Sequence, residues 1–63
     1  MPNPIMKFFT FEHLRDPDMK AVSQSVASLA RAMDEQLPDG AEKSAGLRKL
    51  LEAKDCFVRA MLP

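Results

Sequence analysis

Few residues of this chain could do chemistry. Cys56 is the one cysteine and His13 the one histidine. A nucleophilic thiol needs a base within hydrogen-bond reach, and nothing in the spacing of these two suggests a pair, so we expect a buried, inert cysteine. The two together cannot form a zinc site within one chain. With Gly40 and Gly46 as the only glycines, a glycine-rich phosphate loop is absent. The sequence therefore predicts a protein that is not an enzyme and needs no metal or cofactor.

One cluster of polar residues suggests an anion ligand. Lys43 and Ser44 lie at the start of a predicted helix, where free backbone N–H groups and the helix dipole attract phosphates. Arg48 lies one turn further along the same helix. Ordinary solvated helix surface has the same composition. In a symmetric oligomer, however, several such patches would surround a single anion.

Phenylalanines are concentrated near the N-terminus. Phe8, Phe9 and Phe11 lie within the segment KFFTFEHL, residues 7–14, and must be covered by the rest of the fold, by a neighbouring subunit or by a ligand. Packing in a core is one interpretation, and a base-stacking surface is the other. Thr10 could cap a short helical turn over residues 11–14. Residues 1–7 contain two prolines and are predicted to form an extended tail.

Two helices must position these residues. The first is predicted over about 17–36, because Asp16 is a good N-cap and proline follows at the first helical position. Its apolar residues recur three and four apart, the spacing of a helix-packing stripe: Met19, Val22, Val26, Leu29, Met33 and Leu37.

The second helix is predicted over about 41–60. Pro38 ends the first helix, since the residue before a proline leaves the α region. Asp39 is the predicted N-cap, with Glu42 completing a capping box. The intervening loop, residues 37–40, is short enough to force the two helices antiparallel.

The second helix is apolar on two sides, through Leu47, Leu50, Leu51, Cys56, Phe57, Val58, Met61 and Leu62. One side can face the first helix, and the other would be exposed in a monomer, as at an interface. A chain of 63 residues seldom gains more than about 3–5 kcal/mol from its own core. We therefore predict an all-α antiparallel hairpin, a single domain over residues 8–63 with a short N-terminal helical turn, that assembles into a compact homo-oligomer.

Charge and hydropathy exclude other partners. The formal net charge is zero, which disfavours binding to long nucleic acids. No apolar run approaches the ~20 residues that span a bilayer, and no signal-peptide segment is evident. We expect no membrane partner and a location in the cytoplasm.

The second helix also carries a resemblance. The stretch AEKSAGLRKLLEAKD, with the preceding LPDG and the FEHL segment, resembles the small helical hairpin of phage anti-defence sponges. These proteins sequester the cyclic oligonucleotide signals of bacterial anti-phage CBASS immunity, and a related hairpin occurs in sponges against the Thoeris system. The matching positions are Glu42, Lys43, Ser44, Gly46, Leu47, Lys49, Leu50, Glu52 and Ala53, and the resemblance covers about residues 8–62.

This resemblance implies a homo-oligomer, typically a hexamer, in the cytoplasm of the bacterial host. It implies binding of cyclic di- or trinucleotides between protomers, without cleavage. Phe11 would stack on a base, and the phosphates would contact the start of the second helix. The nucleotide-binding residues expected on this basis are Phe11, His13, Lys43, Ser44, Leu47 and Arg48. The alternative is a small oligomeric interaction protein, either an adaptor or an RNA-loop binder.

Overall fold

The computed structural model describes residues 3–10 and 14–62. A short 3₁₀ helix, η1, spans Pro4–Phe8, followed by the helices α1, Pro17–Gln36, and α2, Ala41–Ala60. The described residues contain no strand. α1 and α2 pack against each other as a hairpin, and η1 packs against α2. The predicted all-α hairpin is confirmed, and both long helices have the predicted bounds.

The start of α1 is closed by its own sequence. The Asp16 carboxylate accepts hydrogen bonds from the backbone N–H groups of Asp18, at 2.8 Å, and Met19, at 3.5 Å. Pro17 occupies the first helical position, where a missing N–H costs nothing. The predicted N-cap is confirmed. At the other end, the Leu37 N–H donates to the Met33 carbonyl before Pro38 ends the helix.

The start of α2 differs from the prediction. Its N-cap is Gly40, and no side chain caps the free N–H groups. Asp39 lies one position too early, and its carboxylate accepts a hydrogen bond from the Lys43 ammonium instead. The predicted N-cap role of Asp39 and its capping box with Glu42 are therefore wrong. The ammonium competes for the same oxygens as the backbone N–H groups.

Small residues form the line along which α1 contacts α2. Ser23, Ala27 and Ala30 are buried, whereas Leu29 is 49% exposed. The predicted leucine and methionine stripe is therefore not the centre of the contact, because the alanines beside it let α2 approach closely. Ser23 is also small, and its buried hydroxyl has no hydrogen-bond partner among the described residues.

The core is correspondingly small. Its buried apolar members are Phe9, Ala27, Ala30 and Leu47. Partly buried side chains surround them: Ile5, Met6, Val26, Met33, Leu50 and Leu51. Cys56 is exposed, so the expected burial of its thiol is wrong in this protomer. The face of α2 on which it lies does not reach α1.

Part of the N-terminal segment belongs to the folded domain. Residues 4–8 form η1, so the prediction of an extended tail over residues 1–7 is wrong for that part. The Asn3 side chain caps η1 by accepting a hydrogen bond from the Ile5 N–H at 3.1 Å. Ile5 and Met6 pack against the core, which explains why this segment folds back. The turn predicted over residues 11–14 falls largely on residues 11–13, which lie outside the described residues.

Candidate functional site

Lys43 occupies the hinge between the two long helices. Its ammonium donates to the Asp34 carbonyl at 2.7 Å, the Leu37 carbonyl at 3.3 Å and the Asp39 carboxylate at 2.8 Å. The Asp34 carboxylate lies 2.9 Å away. α1 has no basic residue in its own last turn. Lys43 therefore supplies from α2 the positive charge that a helix C-terminus favours.

The electrostatics of this hinge follow from these contacts. Hydrogen bonds from Lys43 hold the pKa of the Asp34 carboxyl and of the Asp39 carboxyl below their ordinary value. Hydrogen bonds to Asp39 and then to Asp34 raise the pKa of the Lys43 ammonium. All three groups are therefore held in their charged forms at neutral pH. Since the three ammonium protons already have acceptors, the predicted phosphate contact from Lys43 is not one that this protomer offers.

Ser44 and Arg48 lie beside η1, in what we call the basic groove. This open groove of about 410 Å³ is lined by Asn3, Pro4, Ile5, Lys7, Phe8, Ser44 and Arg48. The Asn3 side-chain amide donates to the Ser44 hydroxyl at 3.0 Å, which ties η1 to the first turn of α2. The Lys7 ammonium lies 5.2 Å from the centre of the Phe8 ring.

The basic groove and the hinge cavity differ in charge. Among the described residues that line the groove, Lys7 and Arg48 are the charged ones, and both are cations. The hinge cavity is larger, at about 700 Å³, but its lining includes the carboxylates of Asp34, Glu35 and Asp39 beside Arg31 and Lys43. Carboxylates repel a phosphate, so the groove suits an anion better than the larger cavity does.

The predicted site residues are thus separated. Ser44 and Arg48 lie in the basic groove, but Leu47 is 1% exposed in the core and has no surface for a ligand. Phe11 and His13 lie outside the described residues. Two residues of the groove, Lys7 and Phe8, were not among the predicted nucleotide-binding residues, although Phe8 belongs to the phenylalanine cluster for which a base-stacking surface was one interpretation. The signal that could have identified Lys7 is its position next to the Phe8 ring in KFFTF, but the interpretation of residues 1–7 as an extended tail set Lys7 apart from that cluster.

Other site types find no support in the described part of the chain. Residues 3–10 and 14–62 contain no group of three His, Cys, Asp or Glu side chains that could hold a metal ion. No helix in these ranges is long and apolar enough to cross a membrane. Comparison of the chain with protein-family models, curated proteins and solved structures gives no match.

Proposed function

We propose that this protein is a homo-oligomer that binds a cyclic di- or trinucleotide in the basic groove and holds it uncleaved. Sequestration of this kind would block bacterial anti-phage signalling. The observation that carries the proposal is the groove itself, in which two cations lie beside an exposed aromatic ring. The resemblance of the second helix to anti-defence sponges supplies the class of ligand.

Phosphate recognition is assigned to the cations and the polar side chains. The Arg48 guanidinium can donate two parallel hydrogen bonds to a phosphate, and Lys7 adds a second positive charge across the groove. The Ser44 hydroxyl already accepts from Asn3, which leaves its own proton to donate. A phosphodiester with one negative charge matches this set of donors.

Base recognition is assigned to Phe8. Phe8 is 53% exposed, and an aromatic face stacks on any base for about 1–3 kcal/mol. The groove volume of about 410 Å³ falls within the range of small-ligand sites. Ser44, the hydroxyl in the groove, has no carboxylate or imidazole beside it among the described lining residues, which favours binding over hydrolysis.

Titration calorimetry with a panel of cyclic di- and trinucleotides tests the proposal, with Arg48→Gln and Lys49→Gln as a matched pair. The two residues are adjacent on α2 and both changes remove one positive charge, but only Arg48 lines the groove. Hydrogen bonds to a charged group contribute about 1.5–3 kcal/mol. Arg48→Gln should therefore weaken binding at least about tenfold, and Lys49→Gln should leave the affinity within about twofold.

The ligand should be recovered intact after the complex is denatured. Linearised nucleotide would identify an enzyme and contradict the proposal. Failure of the folded, assembled protein to bind any member of the panel would contradict it as well. That result would favour the alternative, an oligomeric interaction protein, which the exposed side chains of Leu29 and Phe57 also suit. Equal losses in both variants would indicate a general effect of charge and not the groove.

A further inference from the structure

Each long helix carries an apolar stripe that the fold covers only in part, because Val26, Met33 and Leu50 pack against the core. On α1 the stripe is Met19, Val22, Val26, Leu29 and Met33, and on α2 it is Gly46, Leu50, Ala53, Phe57 and Ala60. Both stripes repeat three and four residues apart, the spacing by which helices pack side by side. Leu29 is 49% and Phe57 is 52% exposed.

The stripe on α1 lies away from η1. The α1 side chains buried towards α2 are Ser23, Ala27 and Ala30. At 3.6 residues per turn, the stripe is rotated by roughly 90° from this line. Arg31 and Glu35 lie on the opposite side of this line, at a similar angle. They border Met6 of η1 in the hinge cavity, which places η1 on the side of α1 away from the stripe.

The stripe on α2 lies away from η1 as well. The α2 side chains buried in the hairpin are Lys43, Leu47 and Lys54. Ser44 and Arg48, which border η1 in the groove, lie on one side of this line. The stripe lies on the other side of this line and is rotated from it by roughly 80° around the helix axis. Because η1 covers one side of the hairpin, both stripes share the opposite side, which we call the apolar face.

The size of the molecule sets how large an interface on one side can be. The Cα atoms extend over 38 × 17 × 15 Å. One whole side of the molecule, 38 × 17 Å between Cα atoms, has an area of roughly 650 Å², and a standard interface buries about 800 Å² on each partner.

We infer that a second copy of this chain covers the apolar face. Four apolar residues of the described part of the chain are buried in the core, and chains of this size usually need association or another staple beside so small a core. Copies with zero net charge do not repel each other. A second copy presents the same pair of stripes, which can meet in an isologous pair of hairpins. This inference rests on the self-association in the proposed function and is independent of the ligand. In such a pair the two basic grooves lie on the outer sides, so any contact between grooves needs a second interface.

Two phenylalanines with nearly equal exposure provide the test. Phe57 on the apolar face is 52% exposed, and Phe8 in the groove is 53% exposed. Phe57→Ser should lower the mass measured by sedimentation or light scattering at micromolar concentration. Phe8→Ser should leave that mass unchanged and weaken nucleotide binding. Phe57→Ser tests the proposed interface, and Phe8→Ser tests the proposed ligand site. Either hypothesis can therefore fail while the other holds.

Thiol protection provides a second measurement that does not require the interface to be broken. In a Cys56→Ser background, Leu29→Cys and Ser28→Cys place single thiols on adjacent exposed positions of α1. The thiol at position 29 should react with a maleimide at least about tenfold more slowly than the one at position 28. The difference should disappear in denaturant.

The inference would be overturned if the two thiols reacted at the same rate in the assembled protein. It would also be overturned if Phe57→Ser kept the full mass, or if the purified wild type were a folded monomer. The last result would mean that a different protein covers this face.

Discussion

At the scale of the residue, Lys43 has the most demanding position in the chain. Its side chain is 4% exposed, and burying a charge is unfavourable unless the charge is paired and hydrogen-bonded. Two carboxylates and two carbonyls, from the end of α1 and the turn that follows it, satisfy it. Asp34 in turn accepts from the Asn3 backbone N–H. One buried ammonium thus connects α1, α2 and the segment that leads into η1.

The two carboxylates of this cluster should differ in their contribution to stability. The Asp34 side chain is 6% exposed and that of Asp39 is 78% exposed, and solvent weakens an exposed pair. We therefore expect Asp34→Asn to lower the midpoint of thermal unfolding clearly more than Asp39→Asn does, at the same protein concentration. Equal decreases would contradict the dominance of the buried pair.

The dependence of stability on acidic pH gives a second test of the Asp34–Lys43 pair. The pKa of Asp34 is lowered in the folded protein from an ordinary value of 3.8. Its contribution is therefore present above that value and is lost as the pH falls through the lower folded value. Below about pH 4, the stability of the wild type should fall more steeply with pH than that of Asp34→Asn.

At the scale of the element, the two helices begin by different means. α1 begins with a side-chain cap from Asp16 and a proline, both local in sequence. α2 begins at Gly40 without any side-chain cap. Its first turn is held instead by Lys43, through contacts with the end of α1, and by the hydrogen bond between Ser44 and Asn3. The start of α2 therefore depends on the hairpin being formed.

The local cap of α1 can be tested by Asp16→Ala. Loss of an N-cap costs about 0.5–2 kcal/mol, which should appear as a lower midpoint in thermal or denaturant unfolding. Asp18→Ala is the matched control, because it removes a carboxylate from the same turn without removing the cap. A larger decrease for Asp18→Ala than for Asp16→Ala would contradict the capping role.

At the scale of the whole molecule, η1 acts as a cover over one side of a hairpin with little core of its own. The Lys54 ammonium donates to the carbonyls of Phe8 and Thr10, at 2.8 and 3.4 Å, and lies 5.9 Å from the centre of the Phe9 ring. These contacts hold the N-terminal segment on α2, where Phe9 completes the core.

A protein stabilised by association should unfold at a temperature that depends on its concentration. We expect the unfolding midpoint to rise when the protein concentration is raised from about one to about one hundred micromolar, since association stabilises the folded state by mass action. Differential scanning calorimetry across this range measures the shift. A midpoint that stays constant over the whole range would contradict obligate assembly.

The sequence by itself determined the two long helices and the turn between them. Asp16, Pro17 and Pro38 act within one turn of their own positions, so the bounds of α1 and the hairpin turn could be predicted from local physics. Only the tertiary structure decided which side chains are free to contact a ligand. Lys43 and Leu47 were predicted to contact a nucleotide, but the Lys43 ammonium pairs with the end of α1 and Leu47 lies in the core. Lys7 and Phe8 form a groove with Arg48 only because η1 folds back on α2, a contact between residues far apart in the chain that no local pattern encodes.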